Sequence, residues 1–444
     1  MPLTDDANAS STNAGSPGSP GSAALTRDAE ALAPELTALR RELHQLPEVG
    51  LHLPVTQQRV LDALEGLPLE VTTGTTTTSV VAVLRGEHPG PAVILRADMD
   101  ALPLVEQNDL PYRSTNEAMH ACGHDLHTAA LVGAARLLSE RREQLHGSVI
   151  LMFQPGEESL GGAKYMLEEG LLDAARTPHD TVPAGDTPRA GAVPADGGPT
   201  EDVPDNEVAA AYALHVFPGE RGRIEYAVGP AMASSNRCYV TMHGAGGHGS
   251  QPHLATDPVP ALLEFGTALQ TRITRRFSVF DPVVATITQL SAGDAVNVIP
   301  PSANLGATVR TISDEALDGI EAEVTRLANH VAQAHGCTAE VEFVRQYPVT
   351  HNHPEATEQA AGWLRELFGE QAVTHHPTPR MTGEDFSFVA NQVPGVFLYV
   401  GASPDDVDPA TAAFNHSPLV LFDDAVLPTM AATLSHLALQ RLAG

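Results

Sequence analysis

The segment HTAALVGAARLLSERREQLHGSVILMFQPGEESLGGAKYMLEEGLL, residues 127–172, carries the order of elements that decides the fold. Residues 127–143 read as a helix. SVILMFQP, 148–155, is a short unbroken apolar run, the pattern of a strand buried on both faces. GGAKYMLEEGLL, 161–172, returns to helix. A helix, a buried strand and a second helix in succession are the alternation of an α/β sheet with helices on its faces.

Outward from this stretch the pattern repeats. Toward the N-terminus come two short strands, AVILRADMD (92–100) and SVVAVLRG (79–86), and an amphipathic helix with Leu32, Leu36, Leu39 and Leu43 at helical spacing. Residues 1–24 are Ser, Gly, Pro and Ala rich and read as a flexible tail. Toward the C-terminus, 174–206 is a Pro, Gly and Asp rich excursion without periodicity, read as a long surface loop. AAAYALHV (209–216) restores a strand. From 229 the pattern changes to strands at RCYVTMHG, VVATITQLSAG, ANLGATVRTI and TAEVEFV, with helices over about 257–276 and 314–335. This block, 229–346, reads as an inserted α+β domain. It divides a catalytic domain expected over 25–228 and 347–444, closed by a buried strand PGVFLYVG and a final helix.

Composition excludes several roles. The 444 residues hold 25 basic against 55 acidic groups, a formal charge of −30 that repels nucleic-acid phosphates and anionic membranes. Lys164 is the only lysine, so no Walker loop is present. Three separated cysteines are no disulfide framework and fit a reducing compartment. With no signal-like start and no apolar run long enough to span a bilayer, the expected location is cytoplasmic. GAGGHG (244–249) matches a dinucleotide fingerprint literally, but no helix opens on its last glycine, so the match fails its structural requirement.

Twenty histidines require each candidate to be weighed against its bland alternative. Cys122 and His124, two apart before a helix, suit a borderline-soft divalent metal; a buried cysteine near a helix cap is the competing reading. Glu157 and Glu158 follow a buried strand, where one carboxylate can bind metal and the other move protons; an exposed acidic turn is the alternative. His215 ends a strand and His416 follows one, positions that equally fit a satisfied core histidine. Asp98 and Asp100 also end a strand, where they can orient a ligand histidine or bind metal directly. Four strand ends each presenting a donor-type residue is a coincidence that favours the metal reading.

The ordered motifs RRELHQLPEVG, RADMDALP, MHACGHDLHTAA, PGEES, ALHVFP, GPAMASSN, GAGGHGSQPH, AVNVIP, TVRT, TGEDFSF and FNHSP carry a family resemblance from about Leu36 to the C-terminus. They resemble the aminoacylase, hippurate-hydrolase and auxin-conjugate amidohydrolase branch of the di-metal metallopeptidases. The resemblance implies a mixed-sheet exopeptidase-like catalytic domain and an inserted lid and dimerisation domain. It implies two divalent ions per subunit, manganese, zinc, cobalt or nickel, with Cys122 bridging them where related branches use aspartate. His124, Glu158, His215 and His416 would complete the ligands, with Asp100 standing behind them. Glu157 would be the general base, and His248, reaching from the neighbouring subunit, would meet the oxyanion. Asn297 and Arg310 would hold the substrate carboxylate. The implied reaction is hydrolysis of N-acyl amino acids by a homodimer or homotetramer. A dipeptidase or carboxypeptidase of the same chemistry, or a silent metal-binding relative, are the alternatives. Two departures stand out: LHLPVTQQ after PEVG lacks a glutamate that the family often has, and the 174–206 loop is long for the family.

Overall fold

The computed structural model describes residues 20–176 and 203–443. Residues 1–19 of the expected tail and 177–202 of the expected loop lie outside the described residues. The end of that tail is corrected: Pro20–Ala31 is a helix. Leu25 and Ala29, four residues apart on one helical face, are buried in the main core. Apolar contact with the closing helix Leu427–Arg441 thus orders a stretch whose composition reads as tail. A second difference is the helix Pro54–Leu64 in the departing stretch. Its first turn is held by Glu48, whose carboxylate accepts the Thr56 N–H at 2.8 Å.

Among the described residues, the main sheet has eight strands, in spatial order Leu69–Thr73, Val80–Arg85, His146–Gln154, His88–Asp98, Val208–Phe217, Gly395–Gly401, Ile224–Tyr226 and Val373–His375. The central four run parallel, and antiparallel strands flank them. Parallel strands need both faces covered, which is why they appear as unbroken apolar runs. Side chains alternate between the faces. Val93, Leu95, Val149 and Leu151 meet the helices His124–Ser139 and Leu427–Arg441 on one side. Ile94, Ile150, Met152 and Phe397 meet the short helices Gly162–Glu168 and Ser387–Ala390 on the other. All four parallel strands therefore end at one edge of the sheet.

A separate antiparallel sheet joins Val283–Ala292, Ser302–Thr311, Ser235–His243 and Thr338–Tyr347 in that order. The helices Pro258–Arg276 and Asp314–Ala334 cover one of its faces and give it a hydrophobic core of its own. In the GAGGHG stretch, Gly247–His248 is a short strand paired with Val298–Ile299, and the next α-helix begins only at Pro258. The literal match therefore has no helix N-terminus to offer. Among the described residues, no helix is long and apolar enough to cross a membrane.

Candidate active site

The carboxyl ends of the parallel strands supply most of the candidate residues, as open α/β sheets do. His215 lies in Val208–Phe217, and Asp98 closes His88–Asp98 with Asp100 two residues on. After His146–Gln154 the chain turns through Gly156, at φ 73°, into Glu157 and Glu158. His416 comes from the loop after Gly395–Gly401, itself at φ 69°, with its N–H donated to the Ala121 carbonyl at 2.9 Å. A non-glycine residue at positive φ persists only where its surroundings over-determine it.

Two donor triads share one sulfur. Cys122, His124 and His215 each offer an atom within 4.8 Å of the others, and so do Cys122, Glu158 and His416. The Cys122 Sγ lies 3.3 Å from His215 Nε2, and His416 Nε2 lies 3.1 Å from a Glu158 oxygen. Each histidine of the first triad has a carbonyl on its Nδ1: His124 meets the Asp100 carbonyl at 2.8 Å and His215 the Val216 carbonyl at 2.8 Å. That contact sets the tautomer and leaves Nε2 as the free donor. The His124 Nε2 is buried with no hydrogen-bond partner, which suits a metal-type donor. Thiolate, imidazole and carboxylate together suit borderline-soft divalent ions.

The Asp100 carboxylate, 3.6 Å from His124 Nδ1, does more than face that histidine. It accepts the backbone N–H groups of Glu157 at 2.9 Å and Glu158 at 3.0 Å, and so holds the acidic turn. Burial pushes the Glu157 carboxyl well above its usual range, and the carboxylates of Glu384, Glu158 and Asp385 push it further. For Glu158 burial acts upward too, but the His416 hydrogen bond and the His124 charge hold it low. The adjacent carboxyls thus sit in unlike surroundings, one pushed up and the other held down. Burial, then the Glu158 charge, raise the Cys122 thiol, an effect that a bound cation reverses.

Behind the donors lies a network that the sequence reading missed. Arg96, fully buried within a strand, reaches Asp98 at 2.5 Å, Glu384 at 2.8 Å and Asp385 at 3.1 Å. The Gln154 amide donates to both oxygens of Asp385, at 2.8 and 2.7 Å. His127 spends Nδ1 on Asp98 at 2.6 Å and accepts the Val216 N–H on Nε2 at 2.9 Å, so it keeps no lone pair for a metal. A charged residue inside the apolar run AVILRAD was the available signal for this network.

A cavity of roughly 320 Å³ opens over these groups, lined among others by Cys122, Glu157, His215, His416 and Arg310. The Arg310 Nη1 is buried without a partner, and burial with the nearby Arg237 charge holds its guanidinium below the usual arginine value. Arg380 also lines the cavity, its guanidinium carbon 4.5 Å from the ring centre of Phe217 and 4.2 Å from that of Tyr399. His248 and Asn297 do not join this cavity. Both are exposed on the smaller domain, where the Asn297 carbonyl accepts the Gly249 N–H at 2.8 Å.

A buried carboxyl beside metal-type donors suits one class of work, attack on a carbonyl by activated water. Comparison with known proteins agrees. Residues 94–440 match peptidase family M20/M25/M40, and the chain belongs to that family, whose members hydrolyse amide and peptide bonds. It is 32% identical over 394 residues to the N-acetylcysteine deacetylase of Bacillus subtilis (strain 168), covering 88% of this chain and 93% of the relative. It is 30% identical over 408 residues to thermostable carboxypeptidase 2 of Saccharolobus solfataricus, covering 91% and 94%. The crystal structure of a Bacillus subtilis dinuclear metal-binding peptidase of the M20 family superposes with a TM-score of 0.73 at 29% identity, covering 93% of this chain and 99% of that one.

Proposed function

We propose that this enzyme hydrolyses N-acyl amino acids to a carboxylic acid and a free amino acid at a centre of two divalent cations. The observation that carries the reading is one cavity lined by both Glu157 and Arg310, whose buried Nη1 has no hydrogen-bond partner. Cys122, His124 and His215 would hold one cation and Cys122, Glu158 and His416 the other, the sulfur being shared. Such a pair of ions supplies Lewis-acid polarisation of the scissile carbonyl and lowers the pKa of water.

The chain's own residues do the rest. Glu157 takes the proton from the attacking water and returns it to the departing amine, work for which its raised pKa fits it. Asp100 holds the Glu157 backbone so that the carboxyl keeps its aim. Arg310 grips the substrate carboxylate, for which a guanidinium fork is suited. The exposed positions of His248 and Asn297 fit a homodimer in which His248 of the partner subunit meets the oxyanion. The carboxypeptidase relative keeps a peptide substrate as the second reading; it needs the same carboxylate contact.

The test compares N-acetyl, N-benzoyl and indole-acetyl amino acids with the same compounds amidated at the carboxyl group, and with dipeptides. Free acids should be favoured in kcat/KM by about 10- to 100-fold, the worth of a hydrogen bond to a charged group. Arg310→Met should erase that preference. Equal turnover of acid and amide would remove Arg310 from the carboxylate role, and faster turnover of dipeptides would favour the second reading.

A further inference from the structure

The turn carrying Glu157 is gripped from outside the main sheet. Tyr347 ends the strand Thr338–Tyr347 of the smaller domain, and its ring is almost wholly buried. Its hydroxyl donates to the Glu157 carbonyl at 2.7 Å and accepts the Gly161 N–H at 3.0 Å. One residue earlier, Gln346 Nε2 donates to the Ser159 carbonyl at 2.9 Å. These contacts bracket a stretch that does not hold its own shape. Glu158 leaves the helical region at ψ 82°, Ser159 has φ 74° and Gly161 has φ 71°. A non-glycine residue at positive φ costs on the order of 1–3 kcal/mol, so neighbours must impose the conformation.

Two elements impose it. Asp100 of the main body takes the N–H groups of Glu157 and Glu158, and Tyr347 takes the Glu157 carbonyl and the Gly161 N–H. Tyr347 also stands at the root of the smaller domain. It is the last residue of its ladder, opposite Ser235, after a register shift between Arg345 and Tyr347. Such shifts re-aim a side chain. The next strand, Thr350–Asn352, already pairs with Gly229–Met232 and packs on the main sheet.

We propose that Tyr347 is a positioning residue for the reaction: its hydroxyl sets the aim of the Glu157 carboxyl and ties that aim to the seating of the smaller domain. The proposal rests on Glu157 acting as the base. Tyr347→Phe is the direct test, because it keeps the ring and its edge contact with Phe388 but removes both hydrogen bonds. In the metal-loaded enzyme, kcat should fall about 10- to 100-fold, the scale of a misplacement near 1 Å. KM should move less than about threefold and bound metal should not change. Exchange of the Gly161 amide, left without its acceptor, should accelerate.

Gln346→Ala, at a half-buried residue on the cavity wall, is the second variant and guards against misfolding of the first. It should lower kcat by a smaller factor, again with KM and metal content unchanged. Wild-type kcat in these variants overturns the proposal, as does a loss that follows bound metal or KM. Glu157→Gln is measured alongside. If it is inactive while Tyr347→Phe turns over normally, only the positioning role fails. If it is active, the base assignment fails and the proposal falls with it.

Discussion

Asp100 uses two parts of itself, accepting His124 Nδ1 on its carbonyl and the N–H groups of Glu157 and Glu158 on its carboxylate. One residue therefore fixes the aim of a candidate ligand and of the candidate base. At this scale the decisive substitutions separate binding from proton transfer. Glu157→Gln removes a carboxyl that belongs to neither sulfur-sharing triad, so it should leave metal content intact while kcat falls about 10²- to 10⁴-fold. Metal analysis of the inactive protein checks this; a loss of metal would make Glu157 a ligand. Cys122→Ala removes the atom common to both triads and should lower the metal bound per subunit, measured after dialysis. Full occupancy would end the bridging role.

Gly123 shows how a single backbone position serves two elements. It precedes the helix His124–Ser139 at φ 85°, and an added Cβ would meet Val216 Cγ2 at 2.3 Å, next to His215 in its strand. Gly123→Ala should thus cost on the order of 1–3 kcal/mol and push Cys122 away from His215. A lower melting temperature together with weaker metal affinity is the expected pair of results. In the smaller domain, Glu323 ties two helices by meeting Arg326 at 2.7 Å and Arg272 at 2.6 Å. The Arg326 hydrogen bond, against some opposing burial, and then Arg272 lower its carboxyl to about 2. A depressed acid stabilises the fold above its unfolded pKa and loses that contribution as pH falls toward the folded value. Glu323→Gln should therefore be less stable than wild type at pH 7, and the gap in unfolding midpoint should close between about pH 4.5 and 2. A gap that persists at pH 2 would count against this ion pair.

Among the described residues, apolar clusters cover both faces of the main sheet and a further one fills the smaller domain, and the residues proposed for the reaction are divided between the main and smaller bodies. The main core carries the donors and Glu157, while the smaller body carries Arg310, Tyr347, His248 and Asn297. If His248 serves the neighbouring subunit, inactive His248→Ala and inactive Glu157→Gln chains should regain activity when mixed, since one of the two sites in the mixed dimer is then intact. No recovery in verified mixed dimers would place His248 outside the reaction.

Much of this protein could be read without coordinates. Runs such as SVILMFQP and PGVFLYVG are strands because only burial on both faces accommodates so many apolar residues in a row. That Cys122, His124, Glu158, His215 and His416 would be candidates was suggested by their places: Glu158 and His215 at the ends of such runs, Cys122 and His124 at the start of a helix, His416 in a loop beyond a strand. The helix Pro20–Ala31 was not legible, since what orders it is a partner helix at the opposite end of the chain. Nor was the role of His127, three residues past His124 on the same helix. His127 gives its nitrogens to Asp98, 29 residues away, and Val216, 89 residues away, whereas His124 keeps Nε2 open. Residue type and order determined that donors would gather at one sheet edge. Tertiary contact alone decided which of them kept a lone pair, because hydrogen bonds from distant strands settle that count.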